Sequence, residues 1–336
     1  MKQPAILVAS SPHIKGGDTT PTIMWSVVAS LVPVVATSIT FFGPSALLVL
    51  AASCAGALVP ELLFGQAGAR TVRDGSAAIT GVLLGLTLPP GFPLWMAFLG
   101  GAFGIGFGKL VFGGLGQNIF NPALLGRAFL QAAFPVAITT WPIQGGSWWS
   151  LRGDNLALPG TSPQVADALT GATPLGLMKF ERTATDTWDL MLGSTSGSLG
   201  ETSGLVILVC GAYLALRNHL NWRIPVSIFA SVALLAALLH LVDGARYPGP
   251  LFMLFSGGLM LGAVYMATDM VTSPVTNPGC WIFGAAIGLL VVVIRTWGGL
   301  AEGVMYAILL MNALVPFINR ATQPRVFGTA NGGNES

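Results

Sequence analysis

The string Asp167-Ala168-Leu169-Thr170-Gly171-Ala172-Thr173-Pro174-Leu175 gathers two hydroxyls, a carboxylate and a proline among small residues. A turn of this kind leaves a threonine oxygen within reach of a modifying enzyme. The same residues also suit a plain Thr-Gly turn in which Asp167 caps a short helix, and the string alone leaves both readings open. Ionisable residues in apolar sequence are the second place to look for chemistry. Arg127 lies inside the apolar stretch 119–138, and Asp269 closes the stretch 251–267. A charge in hydrocarbon is costly, so each is expected to be paired or functional. Arg127 suits either an anionic phosphate or a set of helix-end carbonyls. Asp74 and Asp269 border short helices, where capping is favoured over ion coordination. Cys54, Cys210 and Cys280 stand far apart with no CxxC pair, so they read as small buried hydrophobes, not as a metal or disulfide framework. His13, His219 and His240 fall on separate elements and read as structural or solvated. No catalytic group and no metal site is assigned, and no G-x-G-x-x-G sits between a strand and a helix.

The elements that must position these residues follow from composition. Of 336 residues, 53% are hydrophobic and only 8% charged, with mean hydropathy +0.73. A soluble domain carries roughly a quarter of its residues charged, so this chain requires lipid as its solvent. The 44 glycines suit helices that approach closely without a hydrophobic drive between them. The basic residues are scattered, which excludes a nucleic-acid footprint. A span needs about 20 apolar residues. Ten stretches qualify, several of them short: 23–42, 45–64, 76–88, 93–112, 119–138, 203–216, 224–242, 251–267, 281–294 and 300–318. No cleavable signal peptide is expected before them.

Basic residues set the orientation. Lys2, Lys15, Arg70, Arg73, Lys109, Arg217, Arg223, Arg320 and Arg325 fall on one side of this arrangement, and Arg246 and Arg295 in the short loops of the other. The positive-inside rule then places both termini in the cytoplasm and the long loop 139–202 outside. Trp141, Trp148, Trp149 and Trp188 in that loop suit either an interfacial belt or packing within the loop. The loop separates two sets of five spans, and an odd number per set makes any repeat an inverted one. Phe98, Gly113-Gly114-Leu115 and Pro89 fall on Phe283, Gly298-Gly299-Leu300 and Pro274 at one constant offset. The expected organisation is a cytoplasmic segment 1–22, a five-helix half 23–138, the loop 139–202, a second half 203–318 and a cytoplasmic tail 319–336.

The loop string resembles the flavinylation motif of the RnfD and NqrB membrane subunits. Further strings carry the resemblance along nearly the whole chain. They are Ser11-Pro12-His13, Asp74-Gly75-Ser76-Ala77, Pro89-Pro90, Gly113-Gly114-Leu115-Gly116-Gln117-Asn118 and Asn121-Pro122-Ala123 in the first half. Leu254-Phe255-Ser256-Gly257-Gly258, Thr268-Asp269-Met270-Val271-Thr272 and Pro324-Arg325-Val326-Phe327-Gly328 follow in the second. Met270 stands where many RnfD sequences have proline. The lack of a long N-terminal extension favours RnfD over NqrB. The resemblance implies an all-α polytopic fold of two inverted five-helix repeats, similar to urea channels. It implies FMN on Thr173 through a phosphoester, with Asp167, Thr170, Gly171 and Ala172 as the recognition turn, and it adds a flavin phosphate to the partners open to Arg127. A second, non-covalent flavin (riboflavin or FMN) is implied without assigned residues. The implied setting is the bacterial inner membrane, with Rnf subunits A, B, C, E and G as partners and a flavin transferase for maturation. The implied role is electron relay between ferredoxin and NAD coupled to Na⁺ or H⁺ transport, as a subunit with no complete activity alone. The alternatives are an NqrB-type subunit of a Na⁺-translocating NADH:quinone oxidoreductase, or a non-redox solute channel of the same fold.

Overall fold

The computed structural model describes residues 19–65, 69–142, 148–160, 171–183, 185–193, 195–201, 203–244 and 246–324, and these are helical with connecting turns. The Ser11-Pro12-His13 string, Asp167, Thr170 and 325–328 lie outside them.

Helix α1 runs Thr20–Phe42 and α2 Pro44–Phe64, hinged at Gly43, whose φ of 68° only glycine adopts freely. Helix α3, Ser76–Leu86, has 11 residues and stops short of Pro89-Pro90, since a proline disfavours helical backbone in the residue before it. Helix α4 covers Leu94–Leu110 and ends in a π turn, Gly106–Leu110. Helix α5, Pro122–Ala133, is capped by the Asn121 side chain and broken from Pro135–Thr139 at Phe134-Pro135. The second half gives α6, Gly204–Leu216, and α7, Arg223–Val242. Helix α8 is broken: Pro250–Phe255, then Leu259–Leu261 running into a π turn over Gly262–Met266. Helices α9, Asn277–Trp297, and α10, Val304–Ala321, complete it.

Each expected apolar stretch therefore holds helix, but the ends differ. The stretch 281–294 belongs to a longer helix, because the Thr276 cap and Pro278 start it earlier and Arg295 lies buried in its last turn. The stretch 300–318 begins only at Val304, after glycines at 298, 299 and 303. Among the described residues, five helices, α1, α2, α7, α9 and α10, are long and apolar enough to cross a membrane. Exposed Leu63, Phe64, Leu216 and Leu241 suit an apolar surrounding.

The two halves use the same helix pairs, with α2 against α4 and α7 against α9 as the most extensive. Both contacts are backbone-close. A Cβ on Gly56 would lie 2.7 Å from the Phe98 carbonyl carbon, and one on Gly284 would lie 2.7 Å from the Ile224 oxygen. Small residues at these crossings replace the missing hydrophobic drive with van der Waals contact. In each half Pro89 or Pro274 falls between the third and fourth helices, and Gly113 or Gly298 just after the fourth. Their backbones differ, however, with φ of 105° at Gly113 and −71° at Gly298.

Two basic residues counted as free charges for the orientation are not. Lys109 is buried and pairs with Glu61 at 2.7 Å, so it does not contribute to the positive-inside count as a solvated charge. Arg295 is buried among carbonyls.

Candidate functional site

Thr173 caps the short helix Pro174–Gly176. Its Oγ accepts from Gly176 N at 3.2 Å, and Pro174 suits the first helical position, where no N–H is needed. The helix runs on into a π turn, Leu177–Glu181. Upstream, Gly171 N donates to Trp141 O at 2.9 Å, which ties the segment to the end of the first half. Gly171 and Thr173 are half-buried and Ala172 is exposed.

Thr173 borders a cavity of about 100 Å³ that Arg127, Gln131, Trp141, Glu201 and Glu302 also line. Arg127, 46 positions earlier on α5, and Thr173 thus meet at one site. The Arg127 Nη1 donates to Thr87 O at the end of α3, so the helix-end reading of this arginine holds. Its guanidinium also faces two carboxylates that the sequence presents as ordinary charges. Glu302, in the α9–α10 turn, accepts from Arg295 Nη2 at 3.2 Å and from Gly258 N at 2.9 Å. Burial works against the Glu302 charge, but Arg295, the Gly258 N–H and Arg127 outweigh it and hold its carboxyl below the ordinary range. Glu201, just before α6, is instead pushed up to about 7 by burial and by the Glu302 charge, with Arg127 only partly offsetting them.

Arg295 binds the break in α8, donating to Met253 O at 2.7 Å and Ser256 O at 3.0 Å. Gly257 follows with φ of 65°, and a Cβ there would fall on Glu302 Oε2 and lie 2.6 Å from Leu175. A side chain at this position would therefore force apart the Thr173 helix and the Arg295–Glu302 pair. Glu302 and Arg295 had one readable signal: each is a lone charge inside a glycine-rich or apolar run, the pattern of a paired group. Lys179 also differs from a solvated loop residue. Its ammonium donates to Gly298 O at 2.6 Å and Leu300 O at 2.7 Å at the end of α9.

At the opposite end of the helices, a cavity of about 90 Å³ lies between the halves, lined by Lys109, Asn118, Asn121, Tyr265 and Asp269 among others. Asp74 accepts from Ser76 N at 2.8 Å at the start of α3, whereas Asp269 accepts from Thr272 Oγ at 3.1 Å within a turn and caps no helix. Cys54, Cys210 and Cys280 are free thiols, and Trp148, Trp149 and Trp188 are exposed. The Trp148 indole nonetheless reaches Ile39 O at 3.2 Å.

The model of the NQR2, RnfD, RnfE family matches residues 7–328. The chain is 43% identical over 327 residues to the D subunit of the ion-translocating oxidoreductase complex of Stutzerimonas stutzeri, covering 91% of each. It is 39% identical to the D subunit of the proton-translocating ferredoxin:NAD(+) oxidoreductase complex of Clostridium ljungdahlii, covering 98% of each. To the D subunit of the Na(+)-translocating ferredoxin:NAD(+) oxidoreductase complex of Acetobacterium woodii it is 37% identical, over 98% of this chain and 97% of that one. With a match that runs nearly end to end, and with the same subunit as the relative in each of these complexes, the chain belongs to the NQR2, RnfD, RnfE family and is of its RnfD type.

Proposed function

We propose that this chain is the flavin-carrying membrane subunit of a complex that passes electrons between ferredoxin and NAD and moves Na⁺ or H⁺. The observation that carries the reading is the position of the Thr173 hydroxyl, half-buried at the edge of a cavity that the buried guanidinium of Arg127 also lines. That setting fits a phosphoester to FMN, which would supply electron transfer at this point. The chain's own part is to hold and screen. Gly176 N–H fixes the Thr173 oxygen, and Trp141 offers an aromatic wall. Arg127 favours a phosphate anion in a site where water is scarce. Glu201 and Glu302 keep the cluster from excess positive charge, so the arginines remain buried at acceptable cost.

Ten spans in two inverted five-helix halves are the organisation that best accommodates the matched helix pairs and the third helix of each half, short in α3 and broken in α8. In that reading both termini are cytoplasmic, Thr173 faces the outside of the inner membrane, and the remaining Rnf subunits, A, B, C, E and G, cover part of the exposed apolar surface. A flavin transferase would act on the segment that contains Asp167 and Thr170. The cavity lined by Lys109 and Asp269 supports a second, non-covalent flavin between the halves. Thr173→Ala tests the central assignment in the purified complex. The variant should assemble, yet lose the fluorescent band on a denaturing gel and most electron flux. Peptide mass spectrometry that finds the flavin on another residue, or none on a fully active complex, would refute it.

A further inference from the structure

A second cavity, of about 180 Å³, lies beside the Thr173 site and shares its Leu175 and Ala301 walls. Lys179, Arg182, Arg246 and Arg295 line it with Tyr247, and among the described residues no carboxylate does. Two of these cations have a counter-charge close by: Glu302 on Arg295 and Asp243 beside the Arg246 backbone. Among the described residues, Lys179 and Arg182 have no ion pair with a carboxylate. The donors are unequally used. The Lys179 ammonium is held by carbonyls and contributes charge alone. Arg295 is 5% exposed, and its Nε–H has no hydrogen-bond partner among the described residues. The buried Arg295 guanidinium thus adds its charge to the wall of the cavity. Arg182 stands at the rim in a left-handed backbone, φ 56°, and Arg246 lies over the Tyr247 ring at 5.5 Å.

The surroundings say where the anion comes from. The cavity sits where α7 and α9 end, both of them helices long and apolar enough to cross a membrane. Leu241 and Val242, the last residues of α7, are 82% and 81% exposed. Trp297, the last residue of α9, is also exposed and has its ring 6.3 Å from that of Tyr247. Aromatic rings of this kind mark the headgroup level, and basic pockets between helices take lipid phosphates.

We propose that the cavity between Lys179, Arg182, Arg246 and Arg295 binds the phosphate of an anionic phospholipid whose acyl chains run along the exposed end of α7. The site is separate from electron transfer and does not depend on a flavin at Thr173. The same phosphodiester chemistry could be supplied from within the chain by a group on Thr173, so the test distinguishes the two. The whole complex is stripped of lipid, supplied with phosphatidylglycerol or phosphatidylcholine in nanodiscs, and examined by native mass spectrometry. The wild type should retain phosphatidylglycerol and not phosphatidylcholine. Arg182→Gln with Arg246→Gln should weaken retention about thirtyfold, the factor expected of two basic contacts at a lipid surface. Arg217→Gln, on the exposed far end of α6, should leave it unchanged. Thr173→Ala should also leave it unchanged. Equal retention of both lipids, no loss in the double variant, or a change with Thr173→Ala would each overturn the assignment.

Discussion

Replacing Lys109 with methionine should destabilise the protein more than any other single change at the end of the helices opposite Thr173. The Lys109 ammonium lies 2.7 Å from Glu61 Oε1, 2.7 Å from Ser76 Oγ and 3.9 Å from Asp74 Oδ2. The Lys109 and Glu61 side chains are 3% and 1% exposed, so solvent screens the pair little. Glu61 Oε2 already has no hydrogen-bond partner among the described residues. Lys109→Met therefore leaves a buried carboxylate with no cation beside it, which costs about 3–5 kcal/mol. Lys109→Met combined with Glu61→Gln removes both charges and leaves only imperfectly bonded polar atoms, about 1–3 kcal/mol. The double variant should consequently be more stable than the single one. The assay is the temperature at which the purified complex in detergent loses monodispersity, followed for wild type, both single variants and the double. A Lys109→Met protein that melts with the wild type, or a double variant no better than the single, would show that the pair carries no such energy.

Gly56→Val should drive α2 from the Phe98 backbone at a cost of about 1–3 kcal/mol, while Gly106→Ala, which meets nothing within 4 Å, serves as its control in the same melt. Arg127→Lys should keep the charge but lose the planar fork that serves Thr87 O and the cavity together, so assembly should survive and electron flux fall; unchanged flux would remove Arg127 from the site. Glu201 has its carboxyl raised to about 7. The fold thus favours its neutral form, and that contribution is complete at acid pH and lost as pH rises through about 7. Glu201→Gln should flatten the fall in melting temperature between about pH 5 and 7.5, and an identical slope in both proteins would contradict the shift. Cysteine at Ser196 should react with an impermeant reagent from outside intact cells, and labelling only after lysis would invert the topology.

Much of the fold is readable because lipid imposes so simple a demand. Long apolar stretches must be helical, and the places of α1 to α10 follow from that alone. Their ends do not. Hydropathy cannot distinguish a glycine that ends a helix, as at Gly298, from one that packs inside it, as at Gly284. Nor can it tell a solvated cation from a paired one, which is why the sequence pattern counts Lys109 among the charges of the cytoplasmic side and puts Arg295 in a loop. At the site, the sequence suggests a capped short helix but offers Asp167 as its cap, where the structure shows Thr173, while the isolation of Arg127 announces a buried partner. Their convergence on one cavity with Glu201 and Glu302 depends on how the halves meet, and no local pattern records that.

The arginine-bound helix breaks also bear on how the chain is made. Helix α3 has 11 residues and is about 16 Å long, roughly half of what crossing requires. Its terminal carbonyl at Thr87 is served by Arg127, which is synthesised 40 residues later. In α8 the carbonyls of Met253 and Ser256 are served by Arg295, 42 and 39 residues later. At about 5–20 residues per second, each break stays without its donor for about 2–8 s after it is synthesised. Each half thus has an interval in synthesis during which the end or break of its third helix lacks the arginine that serves its carbonyls in the folded protein.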